Sequence, residues 1–345
     1  MTFARKILDW YLEFQRDLPW RQTREPYKVW LSEIILQQTR VAQGMPYYYR
    51  FVEAFPTVFH LARAPEEQVL KLWQGLGYYS RARNLHATAK MVVEDFNGEF
   101  PKTYKELKSL KGVGDYTASA IASFCFDVPE PVVDGNVYRV LSRYFGVEIP
   151  INSTQGIQYF KELARELMDA ANIRDYNQGI MEFGAIQCAP KKPYCLLCPL
   201  QDSCVALKED KVDLLPVKQN KTKVRNRYFN YLVLLDQNEN TILEQRKGKG
   251  IWQNLYQFPL IESEKKLQPG ALQPLIKEKD DVPAVESLSL YNTEPIVHKL
   301  SHQHLHTQFW ILKTSHILKE GTPWKQIGDF PVPVLIADFI KTLKI

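Results

Sequence analysis

Apolar residues recur every three or four positions through the first two-thirds of the chain, then give way to short continuous runs. Between Thr2 and Arg16, Ile7, Leu8, Tyr11, Leu12 and Phe14 mark one helical stripe. Leu18-Pro19-Trp20 ends it. Pro26 sits at a first-turn site, where proline costs least, and opens a helix from Tyr27 to about Gln38. Further helices are predicted over about Ala42 to Phe55, Tyr78 to Phe96, Asp115 to about Phe124, Gly135 to about Phe145, Ser153 to Ala170 and Tyr176 to Ile186. Pro56, Pro65 and Gly75-Leu76-Gly77 mark breaks between them. No alternating strand pattern precedes residue 225. Leu207 to Arg227 is charged, contains Pro216 and reads as an exposed linker. Beyond it, Tyr228 to Leu235 reads as a strand, with Thr241 to Glu244 as its partner across the Asn238-Glu239-Asn240 turn. Ile296 to Leu300 and Gln308 to Lys313 read as further strands, and Val334 to Leu343 as a closing helix. The pattern predicts a helical first domain and a mixed α and β second one. A length of 345 residues also fits two domains.

One helix carries a residue that its pattern does not explain. Val29-Trp30-Leu31-Ser32-Glu33-Ile34-Ile35-Leu36 is apolar almost all round, as buried helices are. Burial raises the pKa of a carboxyl. Glu33 is then either a proton donor near neutral pH or one half of a buried pair with an arginine. Gln37-Gln38-Thr39, which follows, suits contact with bases or a helix cap.

A second constellation lies between Leu107 and Val140. Lys111-Gly112-Val113-Gly114 reads as a hairpin in which both glycines can take positive φ. Its amides, with the start of the next helix, can converge on a phosphate oxygen. Val133-Asp134-Gly135-Asn136 opens another helix, and Asp134 stands at its N-cap. An aspartate there is a cap, and with Glu33 it also makes the carboxyl pair that glycosidic cleavage requires.

Four of the five cysteines cluster as Cys188-x6-Cys195-x2-Cys198-x5-Cys204, among Pro190, Pro193 and Pro199. Four such thiols read as metal ligands, for zinc or an iron–sulfur cluster, and the asymmetric spacing favours [4Fe–4S]. Cys125 reads as a core thiol. The net charge of +5 fits an anionic partner, and Lys218, Lys221, Lys223, Arg225 and Arg227 concentrate the excess with no acid among them. No apolar run is long enough to span a bilayer. Met1 to Ile7 lacks a signal peptide's apolar core, so a cytoplasmic setting is expected, at the nucleoid if the source is bacterial.

Together these segments resemble the helix-hairpin-helix DNA glycosylases with a [4Fe–4S] cluster and, among them, adenine DNA glycosylases of the MutY type. The likeness rests on Trp30 to Thr39, Gly75-Leu76-Gly77-Tyr78-Tyr79, Val133-Asp134-Gly135-Asn136-Val137 and the cysteine spacing. It implies a mainly α catalytic region over 1–212, made of a helical barrel (about 21–130) and an iron–sulfur half (1–20 with 131–212). A basic linker (213–227) and a smaller α+β Nudix-like domain (228–345) follow. It implies base-excision repair of adenine mispaired with 8-oxoguanine or guanine in double-stranded DNA, by a monomer. Glu33 would protonate the adenine and Asp134 would stabilise the cationic sugar, with Tyr116 and Asn136 orienting groups around them. Cys188, Cys195, Cys198 and Cys204 would hold the cluster. Gln38, Thr39, Tyr78, Gly112 and Gly114 would meet DNA.

The endonuclease III-like branch carries a lysine nucleophile two places after the hairpin's second glycine. Tyr116 stands there in this chain, which implies a glycosylase without lyase activity. Lys111 stands where the family has proline. Trp252 to Pro259 matches the Nudix-like module, without the carboxylates of a magnesium site, so that domain is expected to bind rather than cleave. Ser301 and His302 match the family's 8-oxoguanine reader, and Leu300 replaces its aromatic residue. His302, His304 and His306 alternate as on a strand face, suiting solvent, DNA or zinc. Two other readings remain, a pyrimidine-lesion glycosylase and lyase of the endonuclease III kind and a non-catalytic iron–sulfur DNA-binding regulator.

Overall fold

The computed structural model describes residues 1–219, 224–279 and 282–344. The chain forms two compact units, one of Met1–Arg63 with Asn84–Asn220 and one of Ala64–Arg83 with Lys221–Ile345. The helices are α1 (Phe3–Phe14), α2 (Pro26–Leu36), α3 (Val41–Ala54), α4 (Val58–Arg63), α5 (Glu66–Trp73), α6 (Tyr79–Phe96), α7 (Tyr104–Ser109), α8 (Asp115–Phe126), α9 (Gly135–Phe145), α10 (Thr154–Leu167), α11 (Ile173–Ile186), α12 (Val205–Lys208), α13 (Pro269–Lys277) and α14 (Val334–Thr342). The strands are β1 (Arg225–Leu235), β2 (Asn240–Thr241), β3 (Glu244–Gln245), β4 (Tyr256–Gln257), β5 (Leu260–Ser263), β6 (Ser287–Leu290), β7 (Ile296–Lys299), β8 (Gln303–Lys313) and β9 (Thr322–Pro323). Among the described residues no strand precedes Arg225, and no helix is long and apolar enough to cross a membrane.

The first unit is built around α2 and α8. Every α2 residue from Tyr27 to Ile35 except Lys28 is buried, as its nearly continuous apolar sequence requires. The α8 helix is lined with Ala, Ser and Thr, and all of Thr117 to Cys125 is buried. Small side chains let it lie close to α2, α7 and α11 at once. The α9 helix turns Val137, Val140 and Leu141 inward and ends on Gly146 at φ 68°, a left-handed C-cap that glycine takes without strain.

The second unit is a mixed sheet in the order β5-β1-β8-β6, with β7 also on β8. β1 and β8 run parallel in its centre, from Arg225 beside Gln303 to Leu235 beside Lys313. Buried on both faces, their C-terminal halves read as unbroken apolar runs. The expected hairpin between Tyr228–Leu235 and Thr241–Glu244 does not form. Asp236 closes the turn by accepting from the amides of Asn238 and Asn240, both at 2.9 Å. The chain then leaves β1, and β2 pairs β9 while β3 pairs β4. β8 starts five residues earlier than the pattern suggested, which carries His304 and His306 into the strand.

The linker reading also changes. Arg225 and Arg227 belong to β1, and Arg227 pairs with Glu262 at 2.6 Å. Lys221 and Lys223 lie outside the described residues. Ala64–Arg83 falls with the second unit rather than with the helices on either side of it. Side chains that look solvated in sequence explain this. Gln74 accepts from the Val332 amide at 3.3 Å, Lys71 donates to the Phe330 carbonyl at 3.1 Å, and Glu67 takes the Tyr256 hydroxyl.

Candidate active site

Glu33 sits at the middle of α2, 8% exposed. Among the described residues no arginine forms an ion pair with it. The Tyr116 hydroxyl, from the first turn of α8, donates to its Oε2 at 2.7 Å and lies 3.3 Å from Met181 Sδ. Burial pushes the Glu33 carboxyl up to about 7; the Tyr116 hydroxyl and Arg21 pull it down, and the Asp134 carboxylate pushes it further up. The Tyr116 phenol is itself held well above its ordinary range by burial and by the two carboxylates.

Asp134 caps α9. Its Oδ1 accepts from the amides of Asn136 at 2.9 Å and Val137 at 2.8 Å, and its Oδ2 from the Asn136 side-chain amide at 2.8 Å. Burial raises its pKa, and these three donors with Arg139 oppose that rise. Cap and second carboxyl of the site are therefore one residue, fixed by its own helix. Glu33, Tyr116, Asp134 and Asn136 all line one cavity of about 590 Å³, together with Thr39.

The far wall was not legible in the sequence. Glu182 on α11 is bracketed by Arg16 at 2.6 Å and Arg21 at 2.8 Å. Burial alone would raise its pKa, yet the two guanidiniums outweigh burial and hold it down at about 2. Trp20, Gln178 and Met181 complete that side. Their only signal was polar residues recurring on α1, α11 and the turn between α1 and α2, which looks like an ordinary solvated face.

Gly112 has φ 74°, and a Cβ there would stand 2.6 Å from Asn84 Cβ. Gly114 differs from the expectation of positive φ. It is extended, at φ −86° and ψ −178°, and it caps α8. Only Gly112 needs glycine for its backbone. Gly112→Ala is expected to destabilise the protein by about 1–2 kcal/mol from the left-handed backbone alone, read as a lower denaturant midpoint. Gly114→Ala should be tolerated, since nothing lies within 4 Å of its Cβ position. Gln38 is exposed just past α2, at φ 54°, and lines neither large cavity. Tyr78 (49% exposed), Ser301 and His302 meet in another cavity, in the second unit.

All four clustered cysteines line one small cavity of about 30 Å³. Among the described residues, no three His, Cys, Asp or Glu side chains converge as they would on a single metal ion. Arg143 Nη1 lies 3.5 Å from Cys188 Sγ and donates to the Ala189 carbonyl at 2.8 Å. Arg139 donates to the Cys188 carbonyl at 2.8 Å and to Asn136 Oδ1 at 2.8 Å. One buried guanidinium thus joins the cysteine loop to the residue that holds Asp134.

Comparison with known proteins identifies the family of the chain. The model for the HhH-GPD superfamily of base excision DNA repair proteins matches residues 31–179, and the NUDIX domain model matches 230–342. The chain is 35% identical over 318 residues to the adenine DNA glycosylase of Buchnera aphidicola subsp. Baizongia pistaciae, covering 90% of this chain and 86% of that protein. It is 46% identical over 214 residues to the rat adenine DNA glycosylase, covering 59% of this chain and 42% of the rat protein. A solved thermostable thymine-DNA glycosylase superposes with a TM-score of 0.56 at 32% identity, over 60% of this chain and 95% of that one. The chain belongs to the adenine DNA glycosylase family, base-excision repair enzymes with a helix-hairpin-helix catalytic region and a smaller Nudix-like domain.

Proposed function

We propose that the protein releases adenine mispaired with 8-oxoguanine or guanine in duplex DNA, by hydrolysis and without cutting the strand. The observation that carries this reading is the meeting of Glu33, Tyr116 and Asp134 in one cavity. Glu33 has a pKa near 7 and supplies a proton to the departing base at neutral pH. Asp134, whose three N–H donors oppose the upward push of burial, is the carboxylate that faces the oxocarbenium-like sugar as the bond breaks. Tyr116 occupies the place of the lyase lysine. A phenol has no amine to form an imine with the sugar, so the abasic product is released intact.

The hydroxyl of Tyr116 has a second effect, on pH. It lowers the Glu33 pKa, so Tyr116→Phe raises it. The acid form is the active one, and base release falls as pH rises through the Glu33 pKa. Tyr116→Phe is therefore expected to move that alkaline limb to higher pH in single-turnover profiles. An unmoved limb would remove Glu33 as the acid.

The cysteine loop suits a [4Fe–4S] cluster. Four thiols around one cavity, asymmetrically spaced in one short loop, suit a polynuclear cluster. Cys188, Cys195, Cys198 and Cys204 would hold the cluster, which would tie the loop together, and Arg139 links that loop to Asn136 beside Asp134. The exposed Lys191 and Lys192 beside it suit phosphate. Ser301 and His302 face the opposing 8-oxoguanine in this reading, and Leu300 weakens the stacking that an aromatic residue gives.

A single-turnover panel tests the substrate assignment. It pairs adenine with 8-oxoguanine, guanine and cytosine, and thymine with guanine. Release confined to the first two duplexes is expected. Faster release of thymine would reassign the base to that of the thymine-DNA glycosylase likeness.

A further inference from the structure

The second unit encloses a cavity of about 680 Å³, walled in part by two turns with left-handed backbone. In one, Gly77 and Tyr78 stand at φ 74° and 48°. In the other, Gly250, Trp252 and Asn254 stand at 137°, 59° and 67°. Left-handed Tyr and Trp persist only where their surroundings hold them. Arg83, near the start of α6, lines the cavity and joins the two turns. Its Nη1 donates to the Gln253 carbonyl at 2.9 Å.

That is the one hydrogen bond of Arg83 among the described residues, from a group with five donors. It belongs to no ion pair there. Glu66, the acid that acts on it, accepts through Oε1 from Asn254 Nδ2 at 2.5 Å. The cavity's other arginine, Arg227, is engaged by both oxygens of Glu262 at 2.6 Å. A guanidinium that lines the cavity with donors unused by the described residues is open to an anionic ligand there. Its planar fork matches a phosphate.

We propose that Arg83 binds a DNA backbone phosphate. One donor holds the Trp252 turn through Gln253, and the others take a non-bridging oxygen beside the base that lies between Tyr78 and Ser301. The inference rests on the reading of this cavity as the site of the base opposite adenine. A phosphate contact carries no sequence information, but it fixes the register in which Ser301 and His302 meet that base. It also ties that register to the Tyr78 turn, because Arg83 stands only five residues further along the chain.

Salt dependence separates a phosphate contact from a structural role. The full chain is titrated with a duplex carrying a non-hydrolysable 2′-fluoro adenosine opposite 8-oxoguanine, between about 50 and 200 mM salt. Arg83→Gln is expected to weaken binding about tenfold at the lower end, the worth of one charge-assisted contact. The slope of log affinity against log salt should flatten by about 0.9, one phosphate's share. Arg83→Lys should keep the wild-type slope. Weaker binding with an unchanged slope, or no weakening, overturns the proposal.

Because Arg83→Gln also loses the Gln253 contact, a second measurement is made on the wild-type protein. Neutral methylphosphonates replace the phosphates around 8-oxoguanine one at a time. One position is expected to weaken the wild type about tenfold and to leave Arg83→Gln unaffected. Additive losses at every position overturn the proposal. If adenine is not released in parallel assays yet the slope still flattens, the substrate reading fails and the phosphate contact stands. If adenine is released and the slope holds, the reverse applies.

Discussion

Glu33→Gln is expected to slow single-turnover adenine release by about 10²- to 10⁴-fold, the range for losing a general acid. Glutamine fills the same space and keeps a carbonyl for the Tyr116 hydroxyl, but it has no proton to give. Affinity for a duplex with a non-hydrolysable adenosine should change only a few-fold, because the protonated glutamic acid it replaces is also neutral. The same substitution should stabilise the protein at alkaline pH. The folded pKa of about 7 lies above the ordinary 4.5. The folded state therefore prefers the protonated form, and stability is lost as pH rises from 4.5 through 7. By pH 8 that loss is on the order of 3 kcal/mol, and glutamine does not incur it. Slower catalysis with a higher unfolding midpoint at pH 8 is the expected joint result. A variant within tenfold of wild-type activity contradicts the assignment.

Asp134→Asn carries the other large effect. Asparagine is as good an N-cap as aspartate, so the amides of Asn136 and Val137 keep their acceptor and α9 keeps its start. The negative charge is lost, and with it the acceptor of the Asn136 side-chain amide. A drop of about 10²- to 10³-fold in base release is expected, the scale of removing one electrostatic group aimed at a transition state. Unfolding midpoints should stay near wild type. Asp134→Ala loses the cap as well, at about 1 kcal/mol of stability. If Asp134→Asn retains full activity while Asp134→Ala does not, the residue is a cap and nothing more.

How much of this was readable in the residues differs from element to element. α2 and α8 follow from local pattern, one because apolar residues surround it and the other because small residues fill it. Glu33 was visible for the same reason, as a charged residue in a sequence where every neighbour asks for burial. Its partner was not. An arginine was the expected partner and Tyr116 is the one found, since the two helices are brought together by packing across some eighty residues of chain. Asp134 could be read as a cap from its position, while its meeting with Glu33 depends on how α9 is set against α2 and α8. The Arg16–Glu182–Arg21 bracket had no legible signal, because each residue alone looks solvated.

The second unit was less legible, for a related reason. The turn after β1 had the composition of a hairpin, but Asp236 folds it on itself and leaves the following chain to pair elsewhere. Glu67, Lys71 and Gln74 tie Ala64–Arg83 to the sheet unit, through contacts with residues 189 to 259 positions away. Hydrophobic periodicity records which face of an element is buried. It does not record which distant element does the burying.

The measurement that tests the central claim most directly is base release from a duplex with adenine opposite 8-oxoguanine, analysed with and without alkali. Strand breaks that appear only after alkali are the predicted result, from an enzyme that cuts the glycosidic bond and leaves the abasic site whole. Breaks without alkali would mean that an amine forms an imine with the sugar, contrary to the role given to Tyr116. No breaks in either lane, from protein with its cluster intact, would contradict adenine excision itself.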